Sequence, residues 1–285
     1  MTETVGIFGL GLIGTAMAER LLASGLSVRG YDPDPARMEN LASIGGEPAS
    51  PGDVWAVDPV VAAVFDTDQL ADVIGDAPKC EDACLISVST CDPERMPELA
   101  EAASAKGIEL IEAPISGTSR QLANGQIIFL VAGRSETTKK LTPLFEKLSR
   151  AHFHVGAIGN GNRTKLAINL ILGLNRAALA EGLVFARAIG LDPASFLELA
   201  QQSSAASTVM TGRGAAMAMR DFKPAGRIAQ SAKDFSLILE TAEKAGQDLP
   251  FARTYEAMMQ DCLTQGEGDL DNTAVLLAIE RWSRP

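Results

Sequence analysis

Residues 5–32 read VGIFGLGLIGTAMAERLLASGLSVRGYD, and the order of signals within them decides the fold. Val5–Phe8 is a short apolar run and Gly9-Leu10-Gly11-Leu12-Ile13-Gly14 a glycine turn. Thr15–Ser24 is amphipathic and Gly25 can stop it; a second apolar run, Leu26–Tyr31, ends at Asp32. Strand, glycine turn, helix, strand, acid is the order a dinucleotide site needs. Gly9 permits the tight turn, Gly11 lets backbone approach a pyrophosphate, and Gly14 lets the helix pack close to the strand. The helix N-terminus then offers free N–H groups and a favourable dipole to phosphates. Asp32 stands 18 residues beyond Gly14, where a carboxylate accepts hydrogen bonds from both adenosine ribose hydroxyls and repels a 2′-phosphate. Pro33 follows it and Arg37 is a helical turn away. NAD is expected over NADP.

The alternation continues downstream. A helix is predicted near Pro35–Ser43, and buried strands over Pro59–Val64, Ala83–Val88 and Ile108–Ile111, with a helix over Pro93–Lys106. Gln126–Ala132 and His152–Val155, flanking a helix over Glu136–Leu148, extend the sheet. Strands alternating with helices make a parallel, doubly wound Rossmann-type sheet, with ligands outside the carboxyl ends of the strands. Val64-Phe65, Ser89-Thr90 and Ala113–Thr118 all sit at such ends.

After Gly159-Asn160-Gly161 the β signals cease. Residues 161–190, GNRTKLAINLILGLNRAALAEGLVFARAIG, hold no proline and are mostly Leu, Ile, Ala and Val. The stretch is too long for a strand and apolar on too many sides for a surface helix, so a long, largely buried helix is predicted. Its longest uncharged run, Leu166–Asn175, is ten residues, too few to cross a bilayer. Lys165 and Asn169 are four apart and project from one face, with Arg176 about three turns on from Lys165. Lys165 has two readings: a stem on apolar surface with its amine in water, or an amine in a cleft, its pKa lowered by desolvation for proton transfer. Helices follow near Pro193–Gln202, Ala229–Ala245, Phe251–Gln265 and Thr273–Trp282, with loops around Thr211–Pro224. The boundary near Gly161 divides the chain into a dinucleotide-binding domain (1–161) and an all-helical substrate and oligomerisation domain (162–285), led by the long interdomain helix.

Composition narrows the partners. With 46% hydrophobic and 21% charged residues over 285 positions, the chain reads as a soluble globular protein. A net charge of −11 argues against nucleic acid or an anionic membrane as a partner. The start, MTETVGIFG, shows no basic leader, and a cytoplasmic location is expected. Cys80, Cys84, Cys91 and Cys262 form no paired framework and read as reduced structural thiols. His152 and His154 alternate in a strand-like run without carboxylate or cysteine partners, so no metal site is predicted.

Four spaced motifs carry a resemblance over essentially the whole chain: GIFGLGLIGTAMA (6–18), STCDP with EAPISGT (89–93 and 112–118), GNGNRTKLAIN (159–169) and AKDFSL (232–237). With these the chain resembles the β-hydroxyacid dehydrogenase family, which includes 3-hydroxyisobutyrate dehydrogenase and tartronate semialdehyde reductase. The resemblance implies an NAD(P)-dependent enzyme interconverting a small 3-hydroxy acid and its semialdehyde. It puts Lys165 at the catalytic lysine, Asn169 at a residue holding substrate and that lysine, and Ser116-Gly117-Thr118 at the grip on the substrate carboxylate. Val64, Phe65 and Thr90 fall on cofactor-contacting positions beside Gly9–Gly14 and Asp32, and Lys233 on a lysine near nicotinamide and substrate. The bland alternatives are an exposed lysine paired with Asp234 for Lys233, a polar turn for Ser116–Thr118, and a helix cap for Thr90. The chain departs from the family pattern at Ile13, Phe65, Thr118, Arg120, Gly226 and Gln230. Arg120 and Arg163 raise the hypothesis of a second anionic group on the substrate. Relatives form dimers or tetramers, so a homo-oligomer is expected. The rivals are an imine reductase of the same architecture, against which Lys165 speaks, and a non-catalytic dinucleotide-binding scaffold.

Overall fold

Ile7 and Phe8 are adjacent in the first strand, yet their side chains enter different cores, one on each face of a sheet. That is what a strand buried on both sides requires. The computed structural model describes residues 3–282, so Met1 and Thr2 of the leader reading lie outside the described residues. The chain divides into two compact units between Lys165 and Leu166, four residues beyond the expected boundary after Gly161.

The first unit begins β1 (Thr4–Phe8), α1 (Leu12–Ala23), β2 (Ser27–Tyr31), α2 (Pro35–Ser43), β3 (Glu47–Pro48), α3 (Pro51–Trp55) and β4 (Val60–Ala62). It continues with α4 (Thr67–Gly75), β5 (Ala83–Ser87), α5 (Met96–Ser104), β6 (Ile108–Glu112) and β7 (Ile115–Ser116). It closes with α6 (Ser119–Ala123), β8 (Ile128–Ala132), α7 (Ser135–Leu148) and β9 (Ala151–Gly156). The sheet runs β3-β2-β1-β4-β5-β6-β8-β7, with β9 also paired to β8. From β3 to β6 every pairing is parallel. The expectation of a wholly parallel sheet fails at β8, which runs antiparallel to β6 and β7. A parallel return needs a crossover of a dozen or more residues, usually through a full helix. Here the connection, residues 113–127, is long enough but spends its length on β7 and on a helix, α6, of only five residues, so no full crossover helix forms and the chain turns back.

α1 starts at Leu12 rather than Thr15, because Gly11 already occupies the N-cap. α4 is absent from the sequence reading although Asp66 caps it, Oδ1 accepting from Gln69 N at 2.9 Å.

The second unit is helical: the rest of α8 (Asn160–Ala188), then α9 (Pro193–Gln202), α10 (Ala215–Ala218), α11 (Ile228–Lys244), α12 (Pro250–Thr264) and α13 (Val275–Trp282). The predicted loop over 211–224 is partly helical instead, with a π-helical turn at Met210–Gly214 leading into α10. Gly212 and Gly214 weaken the helical signal there. Packing overrides it: a Cβ on Gly214 would lie 2.8 Å from Leu197 Cδ1, so the glycine permits a close approach to α9. Buried Asp271 holds this region, taking Arg213 Nη2 at 2.9 Å and Ala225 N at 2.8 Å.

α8 corrects a second expectation. Its most apolar 18-residue window has a mean hydropathy of 1.4, long and apolar enough to span a membrane by length and composition alone, yet only 33% of that window is buried. Leu166, Leu179, Ala180 and Leu183 enter the helical core, whereas Ile171 and Phe185 are each 63% exposed. Arg176 is buried in that core and donates to Tyr255 Oη at 2.7 Å. The helix therefore has a packed stripe and an open apolar one.

All four cysteines are free. Burial pushes the Cys84 and Cys262 thiols up to about 12, Cys91 is fully buried, and Cys80 is half-buried. Titration of native protein with a thiol reagent at neutral pH is expected to show one fast group, Cys80, and all four after unfolding. A second fast group in native protein would contradict this packing.

Candidate cofactor and substrate site

The glycine turn follows from steric demands. Gly9 has φ +85°, and a Cβ there would lie 2.5 Å from Ala63 O. A Cβ on Gly14 would fall 1.8 Å from Gly9 O, so only glycine lets α1 seat on the turn. At Gly11 the nearest atom to a Cβ would be Arg37 Nη1 at 3.9 Å, leaving that side of the backbone open. No side chain caps α1 and its first turn holds no acid. The residues present therefore fit a pyrophosphate: a backbone concavity opening on a helix N-terminus. Leu12 and Ile13 are at least partly exposed there. The Leu10 side chain is buried in the core, and its N–H donates to Asp32 Oδ2 at 2.8 Å.

Asp32 is 4% exposed and ties the turn to the end of β2. Its Oδ1 accepts from Asp34 N at 3.0 Å and its Oδ2 also from Arg37 Nη1 at 3.1 Å. Arg37, placed a helical turn away by sequence, folds back onto the very carboxylate expected to choose the cofactor.

At the end of β4, Val64 is held by Ser89, whose Oγ accepts from Val64 N at 3.0 Å and donates to Val64 O at 2.8 Å. Phe65, at a position where proline is common in the resembled family, uses the N–H that proline lacks, donating to Gln69 Oε1 at 2.9 Å. Its ring is 40% exposed. Thr90 is buried and does not cap the next helix, since α5 opens at Met96 with Arg95 as N-cap.

Ser116 ends β7, half-exposed. Gly117 has φ +149°, and a Cβ there would lie 2.5 Å from Ile127 Cγ2. Thr118 closes a capping box on α6, its Oγ1 accepting from Gln121 N at 3.2 Å and its N–H donating to Gln121 Oε1 at 2.9 Å. The alternative of a structural turn thus describes Thr118 well, because its hydroxyl has work within the chain.

Lys165 lies in the first unit with these segments. Its Nζ donates to Ile115 O at 2.5 Å, immediately before Ser116, so the amine is drawn onto β7 rather than extended into water. Arg163 instead pairs with Glu94 at 2.8 Å and donates to Asn160 Oδ1 at 3.2 Å. Arg163 is half-exposed in that pair, and Arg120 stays exposed on α6.

Two residues with no role assigned from sequence fasten these segments of the first unit to one another. Glu112, fully buried at the end of β6, accepts from Gly159 N at 2.5 Å, Asn162 Nδ2 at 2.5 Å, Gly161 N at 3.3 Å and Asn162 N at 3.3 Å. Burial pushes its carboxyl above the ordinary range, while these donors pull the other way. Asn162 Oδ1 accepts in turn from Cys91 N at 2.8 Å. The available signal was a glutamate closing a mostly apolar strand, directly before Ala113-Pro114.

In the second unit, Asn169 Nδ2 donates to Asp234 Oδ2 at 2.8 Å, and Asp234 Oδ1 pairs with Lys233 Nζ at 3.0 Å. The Lys233 side chain is only 15% exposed, so the exposed-lysine alternative fails although its pairing with Asp234 is present. Asn169 follows Lys165 by one turn of α8. Among the described residues, no group of three or more His, Cys, Asp and Glu side chains gathers to hold a metal.

Residues 4–156 match the family described as the NAD binding domain of 6-phosphogluconate dehydrogenase. Residues 159–279 match the one described as NAD-binding of NADP-dependent 3-hydroxyisobutyrate dehydrogenase. The chain is 30% identical to glyoxylate/succinic semialdehyde reductase 1 of Arabidopsis thaliana, over 97% of this chain and 98% of that one. It is 29% identical to 2-hydroxy-3-oxopropionate reductase of Escherichia coli K12, over 97% of each. A solved 3-hydroxyisobutyrate dehydrogenase from Salmonella typhimurium superposes with a TM-score of 0.88 at 26% identity, over 96% of this chain and 99% of that one.

The turn geometry sets an expected outcome. Gly14→Ala places a methyl against Gly9 O, so the turn must open and NADH and NADPH affinity should both fall at least about tenfold, about 1.4 kcal/mol. Fluorescence titration checks this, and unchanged affinities would show that the turn does not bind the cofactor.

Proposed function

This chain belongs to the β-hydroxyacid dehydrogenase family, that of 3-hydroxyisobutyrate dehydrogenase, and on that premise we propose how its residues divide the work. It is an NAD(P)-dependent oxidoreductase acting on CH–OH groups of small hydroxy acids and on the corresponding semialdehydes. The proposal is that it interconverts a 3-hydroxy acid and its semialdehyde with Lys165 as general acid and base. The observation that carries it is the Lys165 amine held on Ile115 O, one residue before Ser116.

NAD(P), when bound, accepts hydride from the carbinol carbon in oxidation and returns it in reduction. The glycine turn and α1 would hold its pyrophosphate and Asp32 its adenosine ribose, and Val64, Phe65 and Thr90 would contact the cofactor from the neighbouring strand ends. Ser116 and the backbone at Gly117 and Thr118 orient the substrate carboxylate. Neutral Lys165 Nζ takes the hydroxyl proton as the C–H bond breaks; in reverse, the ammonium donates that proton to the oxygen of the aldehyde. Proton and hydride leave together, so no charged alkoxide accumulates. Within the helical unit, Asn169 is anchored on Asp234, which also pairs with Lys233, and the family resemblance gives both Asn169 and Lys233 a substrate role. Assembly into a homodimer or homotetramer, covering Ile171 and Phe185 of α8, belongs to the same proposal.

Replacing Lys165 by Ala should lower kcat by about 10²- to 10⁴-fold, the usual worth of a positioned acid–base group. NADH affinity should be retained. An NADH-coupled screen of hydroxy acids and semialdehydes on both proteins measures this; undiminished kcat in the variant excludes Lys165 from the chemistry.

Asp32 supports NAD as the preferred cofactor, tempered by Arg37. Wild-type kcat/KM should favour NADH, and Asp32→Asn should shift the ratio toward NADPH, since it removes the charge that repels a 2′-phosphate and leaves Arg37 in place. A wild-type ratio favouring NADPH would overturn the assignment.

A further inference from the structure

We infer that Glu112 is a positioning residue for Lys165: through the first turn of α8 it sets where the amine stands. The inference rests on the acid–base reading of Lys165 and deepens it.

The first N–H groups of a helix lack partners within it. In α8 the amides of Gly161 and Asn162, with that of Gly159 just before the helix, converge on one buried carboxylate. The contact is close as well as polar. A Cβ on Gly161 would lie 2.9 Å from Glu112 Cβ and 3.1 Å from Leu130 O, so the turn sits directly on the ends of β6 and β8. Lys165 is one turn further along. Each residue of helix advances about 1.5 Å and rotates by about 100°, so any slip of this first turn would carry the amine off Ile115 O.

The same carboxylate reaches a third segment. Asn162 Nδ2 donates to Glu112 while its Oδ1 accepts from Cys91 N, next to Thr90. The segments bearing Thr90, Ser116 and Lys165 are thus registered on Glu112, all within the first unit. Stability does not explain the choice of residue. A buried carboxylate costs free energy that an apolar strand end would avoid. What the carboxylate supplies is several acceptor sites at one point, which no apolar side chain and no amide provides. A glutamine offers one acceptor oxygen and turns an NH2 toward N–H donors.

The test compares E112Q, N162A, K165A and the double variant E112Q/K165A. E112Q should bind NADH within about twofold of wild type, because the glycine turn and Asp32 lie on other strands. Its kcat should fall about 10- to 100-fold, the scale of an ångström-sized misplacement of a reacting group. In the K165A background the same change should add less than about threefold, because the group it positions is gone. N162A cuts the Cys91 link and keeps the Gly159 and Gly161 donors, so it should show a smaller loss of the same kind. If E112Q does not fold, N162A carries the test: lowered kcat with unchanged NADH affinity supports the inference, wild-type kcat overturns it. A folded E112Q with wild-type kcat, or a loss that multiplies fully with that of K165A, also overturns it. A fully active K165A would sink the acid–base reading itself, whereas an inactive K165A beside a normal E112Q sinks only this inference.

Discussion

A carboxylate inside a sheet must be met by donors, and two such groups organise the first unit. Asp32 closes the strand beside β1 and Glu112 closes β6, both nearly or fully buried. Each is satisfied largely by backbone N–H groups of the segment it faces, Leu10 and Asp34 for one, Gly159, Gly161 and Asn162 for the other. The strands supply apolar side chains to both faces and cannot specify a loop. The carboxylates at their ends can, because an unmet acceptor there is costly. The two regions on which the proposed catalysis depends, the glycine turn and the start of α8, are therefore those fastened by charge.

Glycine works with these carboxylates. Gly14 lets α1 seat on Gly9 O, and Gly161 lets α8 seat on Glu112 Cβ. Each pairs an acceptor with a backbone that has shed its side chain to come within reach. This explains why the Gly9–Gly14 and Gly159–Gly161 signals are so informative in sequence. Both mark helix N-termini brought hard against strand ends, and that geometry admits few alternatives.

Other features were less legible, for identifiable reasons. The βαβ alternation is a local property and was readable through β6. The direction of β8 depends on the 113–127 connection holding no full-length crossover helix, and β7 and α6 are too short to announce themselves. The helical turn at Met210–Gly214 is hidden by glycines whose purpose is tertiary, the approach to Leu197. Burial of α8 was overestimated because composition counts apolar residues without telling a packed stripe from an open one; Leu179 and Phe185 look alike in sequence and differ wholly in exposure. Lys165, Asn169 and Lys233 were placed by motif. Glu112 and Asn162 were not, since their role is to hold other residues.

The Asp32–Arg37 pair shows why a cofactor acid cannot be read from its identity alone. A carboxylate has about four acceptor sites. Leu10 N, Arg37 Nη1 and Asp34 N occupy three of them, so a ribose bearing two hydroxyls finds room for one unless a donor withdraws. The Leu10 amide belongs to the glycine turn and the Asp34 amide to the entry of α2, and neither can leave without unravelling its element. Arg37 can, since its side chain is 42% exposed and belongs to neither the turn nor the backbone of a strand. Full engagement of the ribose therefore requires the guanidinium to swing aside, and once aside it is a cation beside the position of a 2′-phosphate. The discrimination proposed for Asp32 is accordingly set against a counterweight carried on the same rim, so the proposed preference follows from the difference between them rather than from either charge alone.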